Sequence, residues 1–305
     1  GQGAILASMA NPDLKWETKA EFDFGLDFAM LDSRLTGTAD YYIRKTEDLL
    51  LSVAVPVPPN LYRETLVNIG ELENQGFELA LNYAAINRAD LTWSTGVNFA
   101  TMKTKVVSLS SGAFSVGEGG VLYRANMGSP GQNDTRLVRV KEGDELGQLW
   151  GPVQEQVNGD GTLKFKDLNG DGTFCNCDDD RTVIGNGLPK FTIGWNNSFT
   201  FGQWDATVFF RGSFGHDLVN SYRGFYENTE PTTVINYNVV NTKYFDPSIK
   251  KATVNSVHVE KADFVKLDNM SIGYSLPLQG RAVTKFRIFV AAQNLFVITD
   301  YEGVD

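Results

Sequence analysis

Between Glu21 and Met30 the chain reads EFDFGLDFAM, so that Phe22, Phe24, Leu26, Phe28 and Met30 alternate with Glu21, Asp23, Gly25, Asp27 and Ala29. Side chains of a β-strand project to opposite faces with period two, which makes one face here wholly apolar and gives the other three carboxylates. The same alternation returns in segment after segment, with the bulkiest residues on the apolar side. It predicts eight strands, over 15–31, 34–50, 67–86, 91–105, 190–201, 204–215, 259–276 and 284–299. Apolar positions facing outward and charged ones facing inward suit a membrane-spanning β-barrel, in which lipid meets one face of every strand and water the other.

The predicted connections fall into two classes. Tight turns are expected at Leu31-Asp32-Ser33-Arg34, at Asn87-Arg88-Ala89-Asp90 and at Gly202-Gln203, with a slightly longer link from Pro277 to Val283. The alternate connections, 51–66, 106–189 and 216–258, are long. Outer-membrane barrels have short periplasmic turns and long extracellular loops, so this asymmetry predicts extracellular long loops. Trp93 and Trp204 lie just past two short turns on the apolar face, where an interfacial aromatic girdle belongs. A soluble β-sandwich also gives each sheet one apolar face, but strands above about 12 residues are long against a usual ~5–6.

Composition narrows the choice further. No run approaches the ~18 apolar residues of a membrane helix, so a membrane reading has to be a barrel. Twenty Phe, 11 Tyr and 30 Gly suit strands and turns. The net charge of -10 argues against a nucleic-acid partner, which needs clustered Lys and Arg. With only Cys175 and Cys177, no disulfide framework holds the fold.

Several longer blocks resemble one family. These are NPDLKWETKAEFDFGLDFAMLDSRLTGTADYYIRKTEDLL, NIGELENQGFELALNY, KFKDLNGDGTF followed by DDDRTVIGNGLPKFTIGWNNSF, FVKLDNMSIGYSLP and VAAQNLFVITDYEGVD. In that order they are similar to the barrel of SusC/RagA-type TonB-dependent outer-membrane transporters of Bacteroidetes. The resemblance implies an all-β fold: residues 1–305 form about eight antiparallel strands from the C-terminal portion of a 22-stranded barrel plugged by an N-terminal domain. The plug, the early strands and the last strand are then expected to be supplied from outside this sequence, because open strand edges are untenable in lipid. It also implies an outer-membrane location, a SusD-like surface lipoprotein as lid and energising by TonB–ExbB–ExbD. The implied activity is import of a large nutrient, an oligosaccharide or oligopeptide, without covalent chemistry. The rival role is a structural or docking barrel in a cell-surface complex.

The sharpest local motif is Asp167-Leu168-Asn169-Gly170-Asp171-Gly172-Thr173, continuing to Asp178. Oxygens at positions 1, 3 and 5, Gly at 6, a carbonyl at 7 and a carboxylate at 12 follow the spacing of a calcium loop. The predicted Ca²⁺ ligands are Asp167, Asn169, Asp171, the Thr173 carbonyl and Asp178, in a structural role. The competing reading is a Gly/Asn/Asp turn closed by its own side chains, and Asp at position 12 is shorter than the usual bidentate Glu. Cys175 and Cys177, inside the same loop, are either a small disulfide or free thiols. Catalytic signatures such as Gly-x-Ser-x-Gly and His-Glu-x-x-His are missing, and the chain reads as a non-enzyme. For ligand contact the candidates are Tyr222, Phe225, Tyr226 and Tyr237 in the 216–258 loop, where aromatic faces beside amide donors suit sugars or peptides; the alternative is loop-on-loop packing.

Overall fold

The computed structural model describes residues 11–58, 61, 63–111, 114–117, 120–126, 135–227, 239–249, 253–278 and 284–304. Eight long strands form one antiparallel sheet in which every strand lies beside its sequence neighbours. They are β1 (Thr18–Met30), β2 (Leu35–Glu47), β3 (Glu71–Asn87), β4 (Leu91–Ser108), β5 (Phe191–Phe201), β6 (Trp204–Phe214), β7 (Phe264–Pro277) and β8 (Lys285–Thr299). Such a meander is what hairpin connections allow, and at 11 to 18 residues these strands exceed the length of ordinary soluble ones.

The register carries one face coherently across the sheet. Phe22 lies opposite Ile43, Phe24 opposite Tyr41, and Tyr41 in turn opposite Phe77. Farther along, Trp195 pairs with Phe210, Val208 with Met270, and Ile272 with Val290. The other face brings together Asp23 and Tyr42, Asp40 and Glu78, Arg211 and Lys266, and Asn269 and Gln293. Phe22 and Phe24 are each 66% exposed and Val290 is 74% exposed, so among the described residues no second sheet covers the apolar face. That excludes the sandwich. The polar face is the hollow one: a trough of about 570 Å³ runs across β2 to β7, with Asp40, Glu78, Asn98, Thr192 and Arg211 in its wall.

Three predicted strands are cut shorter by local backbone. Asp48 takes φ 60° and Gly70 φ 118°, left-handed conformations that end β2 and delay β3. The residues so released, Leu50–Ala54 and Glu64–Asn68, pair with each other as a small hairpin above the sheet. Likewise Val259–Lys261 leaves the predicted seventh strand and pairs with Asp217–Val219. At the opposite end Leu31, Asp32 and Ser33 all have positive φ, and the Arg34 guanidinium ties this turn to the carbonyls of Ala84 and Ala85 at 2.9 and 2.8 Å. Within the wall, Gly76 makes room for Tyr42: a Cβ there would lie 2.5 Å from the Tyr42 hydroxyl.

The deepest burial gathers at the loop end of the long sheet. Val53 and Val67 of the small hairpin and Ile69 just after it pack with Val106 at the end of β4 and with Leu109 and Val116 into one cluster, joined by Leu122, Val140 and Leu146. A four-stranded sheet, in the order Thr182–Asn186, Gln148–Gly151, Arg136–Lys141 and Val121–Asn126, stands beside it. Among the described residues, the 51–66 and 106–189 connections therefore share an apolar core.

Candidate functional site

The site is built from two parts, the hollow wall and the folded loops at its rim. Alternation puts charge on the wall, and cross-strand pairing decides which charges meet. Arg44 reaches Glu21 at 2.7 Å and Arg287 reaches Asp205 at 2.9 Å. Arg211 touches Asp268 at 3.3 Å, because a bulge between Leu267 and Asn269 makes Asp268 the extra residue of β7. Asp40 and Glu78 sit directly opposite one another, two like charges that water must screen. A wall of this kind presents hydrated charge to the hollow.

At the rim, Trp150 organises one loop. The Arg139 guanidinium lies 3.3 Å from its ring centroid, and its indole N–H donates to Asp178 Oδ1 at 3.3 Å. The Tyr123 hydroxyl also donates to Asp178, and burial followed by that carboxylate pushes the phenol up to about 12. Burial pulls Arg181 below its usual range, while its guanidinium donates to the Arg136 and Trp150 carbonyls, both at 3.1 Å.

A polar network holds the 216–258 loop. A short helix, α1 (Ser221–Tyr226), is capped by Asn220, whose side chain accepts from the Arg223 N–H at 3.2 Å. Arg223 donates to Glu260 Oε1 at 3.0 Å, to the Val257 carbonyl at 2.8 Å and to Glu227 at 3.2 Å. Burial would raise Glu260, but hydrogen bonds from the Glu302 N–H, Arg223 and Asn220 hold it below the usual carboxylate range. His258, at the end of the short 3₁₀ turn Ser256–His258, accepts from the Asn255 N–H and is pushed down to about 4 by burial and by Arg223. Asn255 then donates to Gln154 Oε1 at 2.8 Å, and the Ser256 N–H to the Pro152 carbonyl at 3.1 Å, which ties this loop to the 106–189 loop.

Asp167, Asn169, Asp171 and Thr173 share one tight turn, but their oxygens close it from within. Asp167 accepts from the N–H groups of Gly170 and Gly172 at 2.7 and 2.8 Å, Asn169 from that of Asp171 at 2.9 Å, and Asp171 from both the N–H and hydroxyl of Thr173 at 2.8 Å. Those Thr173 bonds hold Asp171 below its usual range. Asp178 departs from the expected position-12 role, being turned to Tyr123 and Trp150. Fully buried Asp180 closes the turn instead, accepting from the N–H groups of Cys175 and Leu168 at 2.7 and 2.8 Å, and these bonds lower it. Among the described residues no group of three or more His, Cys, Asp or Glu is arranged to hold a metal ion. Cys175 and Cys177 are joined as a disulfide.

Tyr222, Phe225 and Tyr226 all lie on α1, with ring centroids 4.7 Å apart for Tyr222–Tyr226 and for Phe225–Tyr226. Tyr222 is exposed, whereas the other two are half-buried. Tyr237 lies outside the described residues. Sequence reasoning missed the network of Arg223, Glu260 and His258. The signal was the capping pattern Asn255-Ser256-Val257-His258, in which Asn255 and His258 bond reciprocally.

Known proteins share this chain's pattern along its whole length. Residues 1–295 match the family described as TonB dependent receptor-like, beta-barrel. TonB-dependent receptor P3 of Formosa agariphila is 33% identical over 334 residues, covering 99% of this chain and 32% of that protein. TonB-dependent receptor SusC of Bacteroides thetaiotaomicron is 27% identical over 315 residues, covering 97% and 30%. The structure of the RagAB peptide transporter shares the fold, with a TM-score of 0.77 at 21% identity, covering 97% of this chain and 33% of that one. The chain spans about a third of the length of these relatives, and it belongs to the TonB-dependent receptor-like β-barrel family.

Proposed function

We propose that this chain supplies part of the lumen wall and extracellular rim of a SusC-like importer of a large nutrient, an oligosaccharide or an oligopeptide. The observation that supports this most is the division of the sheet into an exposed apolar face and a hollow, charged one, roofed on one side by folded loops. A solute too large for a passive pore needs a closable chamber, and tight turns such as 31–34 cannot build one. In this reading the long loops are extracellular and meet a SusD-like lipoprotein, while TonB–ExbB–ExbD acts through the plug. The similarity to SusC and to RagAB, which is described as a peptide transporter, supports that division of labour. The polypeptide moves substrate and does no covalent chemistry on it.

The test uses the full-length receptor in its outer membrane. Replacing 228–250 by a Gly/Ser linker spares Arg223 and Glu260, so barrel assembly is expected to persist while the lipoprotein stops co-purifying and nutrient uptake falls to the level of a TonB-deleted strain. Uptake and co-purification both unchanged would overturn this reading.

A further inference from the structure

A second hollow, of about 240 Å³, lies between the 106–189 and 216–258 loops. One wall carries Gln154, Val157 and Leu163, from the small hairpin of Gln154–Val157 and Leu163–Phe165. The facing wall carries Arg223, Tyr244, Asp246 and His258. Hydrogen-bonding capacity in this cleft is uneven. His258, only 8% exposed, accepts from the Asn255 N–H through Nδ1, so the proton of the neutral ring sits on Nε2. That nitrogen, on the opposite edge of the ring, has no hydrogen-bond partner among the described residues. Gln154 repeats the pattern: its Oε1 accepts from Asn255 Nδ2 at 2.8 Å, and its side-chain NH₂ donates to none of the described residues. Both vacant positions are donors, and a half-enclosed donor without an acceptor is costly. Net charge does not favour an anion there. Arg223 is already bonded to Glu227 and Glu260, and Asp246 adds a carboxylate whose Oδ1 accepts from the Ser248 N–H at 2.9 Å.

We propose that this cleft is a subsite for a secondary amide beside a small hydrocarbon group, as in the acetamido arm of an amino sugar or the linkage of a peptide. The two donors call for a neutral carbonyl oxygen, since a carboxylate would meet the charge of Asp246. The amide N–H has Asp246 as its acceptor. Val157 and Leu163, paired across the hairpin, receive the adjoining carbon, a contact that a hexose without the acyl arm leaves unmade. The Arg223 guanidinium, 4.1 Å from the Tyr244 ring centroid, holds that ring in the facing wall. The volume admits one such group rather than a whole nutrient, so the subsite reads a feature of the ligand and not its length. This rests on the reading of the long loops as the nutrient-facing rim of an importer.

Ligand-observed NMR titration of the detergent-purified full-length receptor tests the assignment with two matched pairs. One sets N-acetylglucosamine against glucose. The other sets N-acetylalanine methylamide against methyl O-acetyl-lactate, in which ester oxygens replace both N–H groups. At least one amide is expected to bind about tenfold tighter than its counterpart, and the pair that shows the preference names the source, sugar or peptide. His258→Phe, which keeps a ring and removes both nitrogens, is expected to reduce the preference to about twofold or less. If that variant gives no heat-modifiable, folded barrel, Gln154→Glu, which keeps the acceptor for Asn255 and removes the vacant donor, is expected to reduce it about threefold. No preference in either pair, or an unchanged preference in the variants, overturns the subsite. Nutrient uptake by the same receptor in cells separates the two readings: uptake without amide preference sinks the subsite alone, and amide preference without uptake sinks only the import reading.

Discussion

His258 makes the packing of the 216–258 loop sensitive to acid. The imidazole is buried at the end of a 3₁₀ turn, accepts from the Asn255 N–H, and shares its surroundings with the Arg223 cation and the Glu260 carboxylate. Burial and Arg223 lower its pKa from 6.5 to about 4. In the folded loop it therefore stays neutral down to about pH 4, whereas an opened loop takes up a proton below 6.5. The stabilisation is complete above pH 6.5 and is lost as pH falls from 6.5 through about 4. The whole interval corresponds to roughly 3 kcal/mol, of which roughly 2 kcal/mol is gone at pH 5. Glu260 does not offset this, since its own pKa is held low and it keeps its charge through the window. Hydrogen exchange by mass spectrometry on the full-length receptor, corrected for intrinsic rates, reads the effect at the amides of Asn220 and His258, which bond within this network. Their opening free energies are expected to drop by roughly 2 kcal/mol between pH 7 and pH 5, and His258→Gln, which keeps an acceptor without a titration, to flatten that drop. An unchanged wild-type value, or an equal drop in the variant, would refute the reasoning.

Two further outcomes follow from the wall and the rim. Val208→Arg, on the lipid face between Asn197 and Met270, should destabilise the barrel by ~2–4 kcal/mol in denaturant titration, while Thr207→Arg, one residue away on the hollow face, should cost about 1 kcal/mol through the lost Ser271 contact. Equal costs would mean that the two faces are misassigned. In the 167–180 turn, Asp180→Asn should loosen the backbone from Leu168 to Cys175 and expose it to proteolysis, Asp178→Asn should leave that stretch intact, and calcium chelation should change neither. A protease pattern that responds to chelation in the wild type would support the calcium reading.

The strands were legible because a barrel wall is read by a period of two that runs through every segment. The alternation from Phe22 to Met30 and from Trp204 to Phe210 is enough to assign faces and to align neighbouring strands. The strand breaks at Asp48 and Gly70 were not legible, since nothing in an alternating stretch announces a left-handed residue, and Val67 looks as apolar in a wall strand as in a rim hairpin. Position counting in the 167–178 loop meets a related difficulty. It selects Asp178, whereas in the fold Asp178 bonds Tyr123 and Trp150 and Asp180 is the residue that reaches back to the Leu168 and Cys175 N–H groups.

The cluster of Val53, Val67, Ile69, Val106, Leu109 and Val116 draws on both the 51–66 and the 106–189 connections. With Asn255 bonded to Gln154, the third connection joins the same body. Specificity in such a rim is inherited as a set: grafting one loop from a relative would leave half of an apolar core without its counterpart. Chimaeras that exchange all three together keep that core whole, so the unit of exchange between receptors of this kind is the entire crown rather than the single hairpin.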